Sequence, residues 1–120
     1  MSSSDLLTVD IGTRGAAVVV MVRGELDLAT VPVLRERLDS LGEVSTAPAP
    51  LVIDLTEVTF IGSAGLALLV DQHNRCKERD VPLAIVAAGS VVPRAIQVTA
   101  LDQVFAVHDT VDKAIGAGGS

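Results

Sequence analysis

The stretch Leu51-Val52-Ile53-Asp54-Leu55-Thr56-Glu57-Val58-Thr59-Phe60-Ile61-Gly62-Ser63-Ala64-Gly65-Leu66 reads as a buried strand handed on to a helix. Leu51 to Leu55 is nearly all apolar, the composition of a parallel strand covered on both faces. A short turn is expected next, and Phe60-Ile61-Gly62-Ser63 then leads into a helix reaching about Glu78. Its inner face is read as Leu66, Leu69, Val70 and His73. Parallel strands need crossover connections, so strands and helices should alternate on either side of this segment.

Working outward toward the N-terminus, Leu6–Ile11 alternates weakly, Gly12-Thr13-Arg14-Gly15 supplies turn chemistry, and Val18–Val22 is β-branched; together they read as a β-hairpin. Thr30 is a candidate N-cap, Pro32 suits a first helical turn, and Val31, Leu34, Leu38 and Leu41 repeat at helical spacing up to Gly42. Glu43–Pro50, with prolines at 48 and 50, is an exposed connection. Toward the C-terminus, Pro82–Ala87 reads as a strand, Val91–Val98 as a short helix, Val104–Val107 as a last strand and Thr110–Ile115 as a last helical stretch. The expectation is an α/β fold: one domain over residues 6–115, a mixed β-sheet of about five strands with crossover α-helices, and mobile tails at 1–5 and 116–120.

At 120 residues with 49% apolar content, the chain can bury one core unaided. Cys76 is the sole cysteine and no Cys/His cluster has zinc-site spacing, so no disulfide, metal or other cofactor is implied. The longest apolar run, Ala16 to Val22, falls far short of the roughly 20 residues of a membrane span, and Met1–Asp5 lacks a signal-peptide pattern, which points to the cytoplasm and away from the membrane. A net charge of −6, with Phe60 and Phe105 the only aromatics, argues against nucleic acid as a partner.

Ser63 stands out chemically. It lies between Gly62 and Gly65 where strand gives way to helix, so a phosphate on its hydroxyl would meet unpaired backbone N–H groups and the positive end of the helix dipole. Local chemistry alone favours a serine that merely N-caps the helix, as most serines in such a position do. A hydrolase nucleophile elbow needs glycine two residues before the serine, where Ile61 stands, and no phosphate-binding P-loop sequence is present. His73 and Cys76 share a helix face without a third ligand, and nothing in the sequence brings His108-Asp109 to Ser63. Asp27, after the second strand, suits an Asx turn.

Three segments, Gly24-Glu25-Leu26-Asp27, Leu51-Val52-Ile53-Asp54-Leu55 and Val58 to Leu66, resemble in order and spacing the STAS family of bacterial anti-sigma factor antagonists. The family pattern is a G-E-[LI]-D turn, an apolar strand and F-[ILM]-D-S-[ST]-G-L, whose first serine accepts phosphate; that serine corresponds to Ser63. Thr99-Ala100-Leu101 followed by Val104-Phe105 is similar to the family's [ST]-G-L-x-x-x-[FI] passage, which extends the likeness over about residues 6 to 115. Two positions depart: Gly62 replaces the aspartate before the serine, and Ala64 the second Ser/Thr. The bias toward Arg, Ala, Val and Gly fits a GC-rich genome such as an actinobacterial one. The resemblance implies a non-enzymatic antagonist that binds an anti-sigma factor serine kinase until that kinase phosphorylates Ser63, with a serine phosphatase to reset it. It implies a partner surface of Asp27, Thr30, Gly62, Ser63, Ala64, Gly65 and Leu66, with Gly89 and Ser90 bordering it. A STAS scaffold without phosphorylation is the alternative, and no oligomeric state follows.

Overall fold

The computed structural model describes residues 7–44, 50–89 and 91–119. A hairpin opens the chain, with strands β1 (Leu7–Arg14) and β2 (Ala17–Leu26) antiparallel and Arg14 opposite Ala17. The loop is therefore only Gly15-Ala16, and Gly12, Thr13 and Arg14, expected in the turn, remain in the strand. Gly15 takes φ +61°, which a glycine at the first loop position supplies without steric cost.

Helix α1 (Val31–Val44), strand β3 (Leu51–Ile61), helix α2 (Ser63–Glu78), strand β4 (Leu83–Val86), helix α3 (Val91–Val98), a 3-10 turn (Leu101–Gln103), strand β5 (Ala106–His108) and helix α4 (Val111–Gly119) complete the chain. The sheet order is β1-β2-β3-β4-β5, with β2 to β5 all parallel, so the expected mixed sheet of about five strands is present. Val104 and Phe105, expected in the last strand, precede it, and the last helix runs past Ile115 to Gly119.

Right-handed crossovers stepping one way across a sheet lay their helices on one face. The larger core accordingly joins Val20, Val22, Ile53, Leu55 and Ile85 to Leu34 and Leu38 of α1, Leu68 and Leu69 of α2, and Val92 and Ile96 of α3. The residues pointing the other way, Ala17, Val19, Val52 and Val86, gather with Ala114 of α4 in a second, smaller core. Burial of both faces explains why the central strands carry nearly unbroken apolar runs.

Strand β3 is longer than the sequence suggests, because Thr56 to Ile61 keeps pairing with β2 where a turn is expected. Met21 pairs with Asp54 but Arg23 with Glu57, and Gly24 with Val58 but Glu25 with Phe60, so β3 carries an extra residue at each of two bulges. Bulges of this kind twist and re-aim a strand end. Gly24, at φ +110°, accommodates the second of them. Asp54, expected at a strand end, lies inside β3 and accepts a hydrogen bond from the Thr56 backbone N–H at 3.0 Å.

Candidate functional site

The parallel strands β2, β3 and β4 release their C-terminal ends on one side of the sheet, the side on which open α/β sheets commonly bind their ligands. The segments containing Asp27, Ser63 and Gly89 all leave from there. Between the first two the link is direct: Gly62 N–H donates to Leu26 C=O at 2.9 Å, and Leu26 pairs with Ile61.

Gly62, not Ser63, is the N-cap of α2; its backbone is extended and no side chain caps the helix. Ser63 is the first helical residue, exposed, and its hydroxyl makes no hydrogen bond to another described residue. The reading of Ser63 as a plain N-cap is therefore corrected: the cap position belongs to a residue with no side chain. The unbonded hydroxyl belongs to the first turn, whose N–H groups lack intrahelical acceptors and carry the positive end of the dipole.

The other site residues divide between rim and support. Gly65 is buried, and a Cβ there would lie 2.9 Å from Ile61 Cγ1, 3.2 Å from Leu26 Cβ and 3.3 Å from Leu26 O. Its glycine lets α2 seat closely against the end of β2, and no space is left there for another molecule. Ala64 and Leu66 are half-buried against the larger core. Gly62 is more open, since the nearest atoms a Cβ would meet are the Phe60 ring at 3.4 and 3.6 Å and Leu26 O at 3.9 Å, ordinary van der Waals distances.

Thr30 is completely buried, which removes it from any contact surface. Its hydroxyl instead donates to Glu25 C=O at 2.7 Å and accepts from Asp27 N–H at 2.9 Å, while Asp27 Oδ1 accepts from the Ala29 and Thr30 N–H groups, each at 3.0 Å. Asp27 thus forms the Asx-type turn anticipated for it and starts α1, and Thr30 locks that turn to β2. Gly89 is exposed at φ +83°, and Ser90 lies outside the described residues.

Sequence reading passed over Leu28, 83% exposed beside Asp27, and Phe60, 47% exposed at the end of β3. Leu28 falls three residues before Val31, so periodicity alone would assign it to the apolar stripe of α1. Phe60 sits in a strand that otherwise reads as core. Both give this rim apolar area suited to a protein partner.

The inner face of α2 is rotated from the expected one: Gly65, Leu68, Leu69, Gln72 and Cys76 are buried, whereas Leu66, Val70 and His73 are only half-buried. His73 faces the Phe105 ring, with centroids 6.3 Å apart, and Asp109 pairs with Lys113 Nζ at 3.0 Å. A hydrogen bond and the charge of that ammonium hold the Asp109 carboxyl below its ordinary range.

A family profile described as the STAS domain matches residues 8–114. The chain belongs to the STAS domain family. Over 116 residues it is 36% identical to the anti-sigma-F factor antagonist RsfB of Mycobacterium tuberculosis, covering 96% of this chain and 92% of that protein. The anti-sigma-F factor antagonist RsfA of the same species is 31% identical over 114 residues, covering 95% of this chain and 89% of its own. Among solved structures, an anti-sigma factor antagonist from Mycobacterium paratuberculosis superposes with a TM-score of 0.89 at 32% identity over the full length of both chains. These mycobacterial relatives fit the actinobacterial composition of the sequence.

Proposed function

We propose that this STAS domain is a cytoplasmic, non-enzymatic anti-sigma factor antagonist: it binds an anti-sigma factor kinase, frees the sigma factor that kinase holds, and is switched off by phosphorylation of Ser63. The observation that carries the reading is the exposed, unbonded Ser63 hydroxyl at the first position of α2, next to Gly62, whose N–H bonds Leu26 C=O just before the Asp27 turn; Leu28 and Phe60 add exposed apolar area on these two segments. The mycobacterial antagonists to which the chain is similar support the assignment of class.

Phosphorylation would add about 1.5 to 2 negative charges at the centre of this rim. The nearby helix N-terminus tolerates the phosphate within the free domain, but a docked partner would have to desolvate it against an acidic chain of net charge −6. A penalty of about 2.7 kcal/mol lowers affinity roughly a hundredfold, without refolding. A serine phosphatase would restore binding. Gly62 favours one second reading, a STAS scaffold outside phosphorylation control, because no carboxylate precedes the acceptor.

The test is incubation with candidate anti-sigma kinases and ATP, followed by intact-mass and peptide mapping, with binding measured in parallel. One phosphate on Ser63 is expected, with Ser63→Ala binding constitutively and Ser63→Asp binding roughly a hundredfold more weakly. A Ser63→Asp protein that binds at full strength rejects the switch; binding without any modification favours the scaffold.

A further inference from the structure

Of the two strands at the sheet edges, β5 offers only three residues, whereas β1 runs for eight with no proline, lysine or bulge to guard it. Gly15 at φ +61° in the first loop position, followed by Ala16 outside the positive-φ region, fits a type II′ loop, so the closing pair Arg14 and Ala17 is hydrogen-bonded. Alternation then turns the N–H and C=O groups of Thr8, Asp10, Gly12 and Arg14 toward β2, and those of Leu7, Val9, Ile11 and Thr13 to the open edge. That edge is a row of unpaired donors and acceptors.

The side chains restrict what can pair there. Asp10 and Arg14 lie on the α4 side of the sheet, where Arg14 Nη2 meets Asp112 at 2.9 Å. Asp10 is exposed and has no ion-pair or hydrogen-bond partner among the described residues. Arg14 stays half exposed, and its five-donor fork gives one nitrogen to Asp112. A neutral strand from another protein would leave both charges unmatched, whereas a second copy can oppose them.

A two-fold antiparallel pairing sets outward-facing residues opposite one another, so it is centred on a single residue. Centred on Asp10 it opposes two carboxylates, and centred on Ile11 it sets Asp10 against Gly12. Centred on Gly12 it sets Asp10 against Arg14 of the second copy, twice, with Ile11 and Thr13 forming the hydrogen-bonded pairs. The two half-buried Ile11 side chains then meet on the diagonal.

We infer that the open edge of β1 is the surface through which two copies of this chain associate, antiparallel about Gly12, joining their sheets into one. The pairing spans residues 9–15, and the Ser63 ends of the two copies point in opposite directions away from it. It is independent of the phospho-switch. An interface of this size falls in the weak, reversible class.

The experiment follows the full chain by sedimentation velocity at concentrations up to about 1 mM. A monomer–dimer equilibrium is expected, with a Kd on the order of 100 µM. Asp10→Arg and Arg14→Asp each set like charges opposite one another in the homodimer and should weaken it about tenfold. Mixed in equal amounts, the two variants present opposite charges at both contacts and should associate as tightly as the wild type. Thr13→Pro removes an outward N–H without touching the β2 ladder, and should weaken the dimer through the backbone alone. A monomer throughout the range overturns the proposal and leaves the edge to another protein's strand. So does a dimer that these substitutions do not weaken, or a mixture that associates no better than its components.

Discussion

Replacing Gly65 by alanine would place a methyl group 2.9 Å from Ile61 Cγ1 and 3.3 Å from a backbone oxygen, so α2 would have to lift away from the end of β2. Overpacking of this type costs about 1–3 kcal/mol, and urea unfolding of Gly65→Ala should show a loss in that range. The opposite change applies at Ala100, which is held in the left-handed region at φ +59° at the turn following α3. The STAS pattern places glycine there, and a side chain in that conformation is strained by about 1 kcal/mol. Ala100→Gly should therefore stabilise the domain by a few tenths to about 1 kcal/mol, the strain relief being partly offset by the greater entropy of unfolded glycine. An unchanged or lower urea midpoint would contradict this account. Ser63 was legible in the sequence as a candidate acceptor, because its neighbours form a pattern along the chain. The burial of Thr30 was not, because its hydroxyl acts through Glu25 and Asp27 in the folded turn.

Among the elements, α2 has the most to carry, with the candidate acceptor at one end and, at the other, a cleft it shares with α1 and the starts of the strands. It ends in a Schellman arrangement: Val81 N–H donates to Cys76 C=O at 2.9 Å, Asp80 N–H to Lys77 C=O at 3.3 Å, and Asp80 adopts φ +58°. That turn brings Val81 back over Cys76, and both line the cleft. Burial pushes the Cys76 thiol above its ordinary pKa, opposed by the charge of Arg79. The unfolded chain then gives up this proton at lower pH than the folded one, so the contribution is intact below the ordinary thiol range and is lost as pH rises through and beyond it. Urea unfolding as a function of pH should show this alkaline decline in the native chain and a flatter profile in Cys76→Ala. Identical slopes would remove the thiol as its cause. The two bulges of β3 were hidden from sequence reading, since Thr56, Glu57 and Thr59 look like turn residues until β2 is laid alongside them.

For the molecule as a whole, two cores share one set of strands: Val20, Ile53 and Ile85 face α1 to α3, while Val19, Val52 and Val86 face α4. A charge inserted in the smaller core should therefore unfold the domain as a unit. Ala114, 1% exposed, is the test: Ala114→Asp would bury a carboxylate against Val52 and Val86 and should cost about 3 kcal/mol. Circular dichroism and Cys76 alkylation should follow a single coincident urea transition; separate transitions would mean that the faces fold independently. The sequence by itself determined the element order, the parallel character of the central strands and the place of Ser63 where strand gives way to helix, because these are written in local composition and spacing. Tertiary structure decided which face of α2 is buried, that Gly65 serves close packing and Thr30 the Asp27 turn, and that Leu28 and Phe60 stand exposed. Those properties depend on which residues distant along the chain are brought within a few ångströms, and hydrophobic periodicity does not encode that pairing.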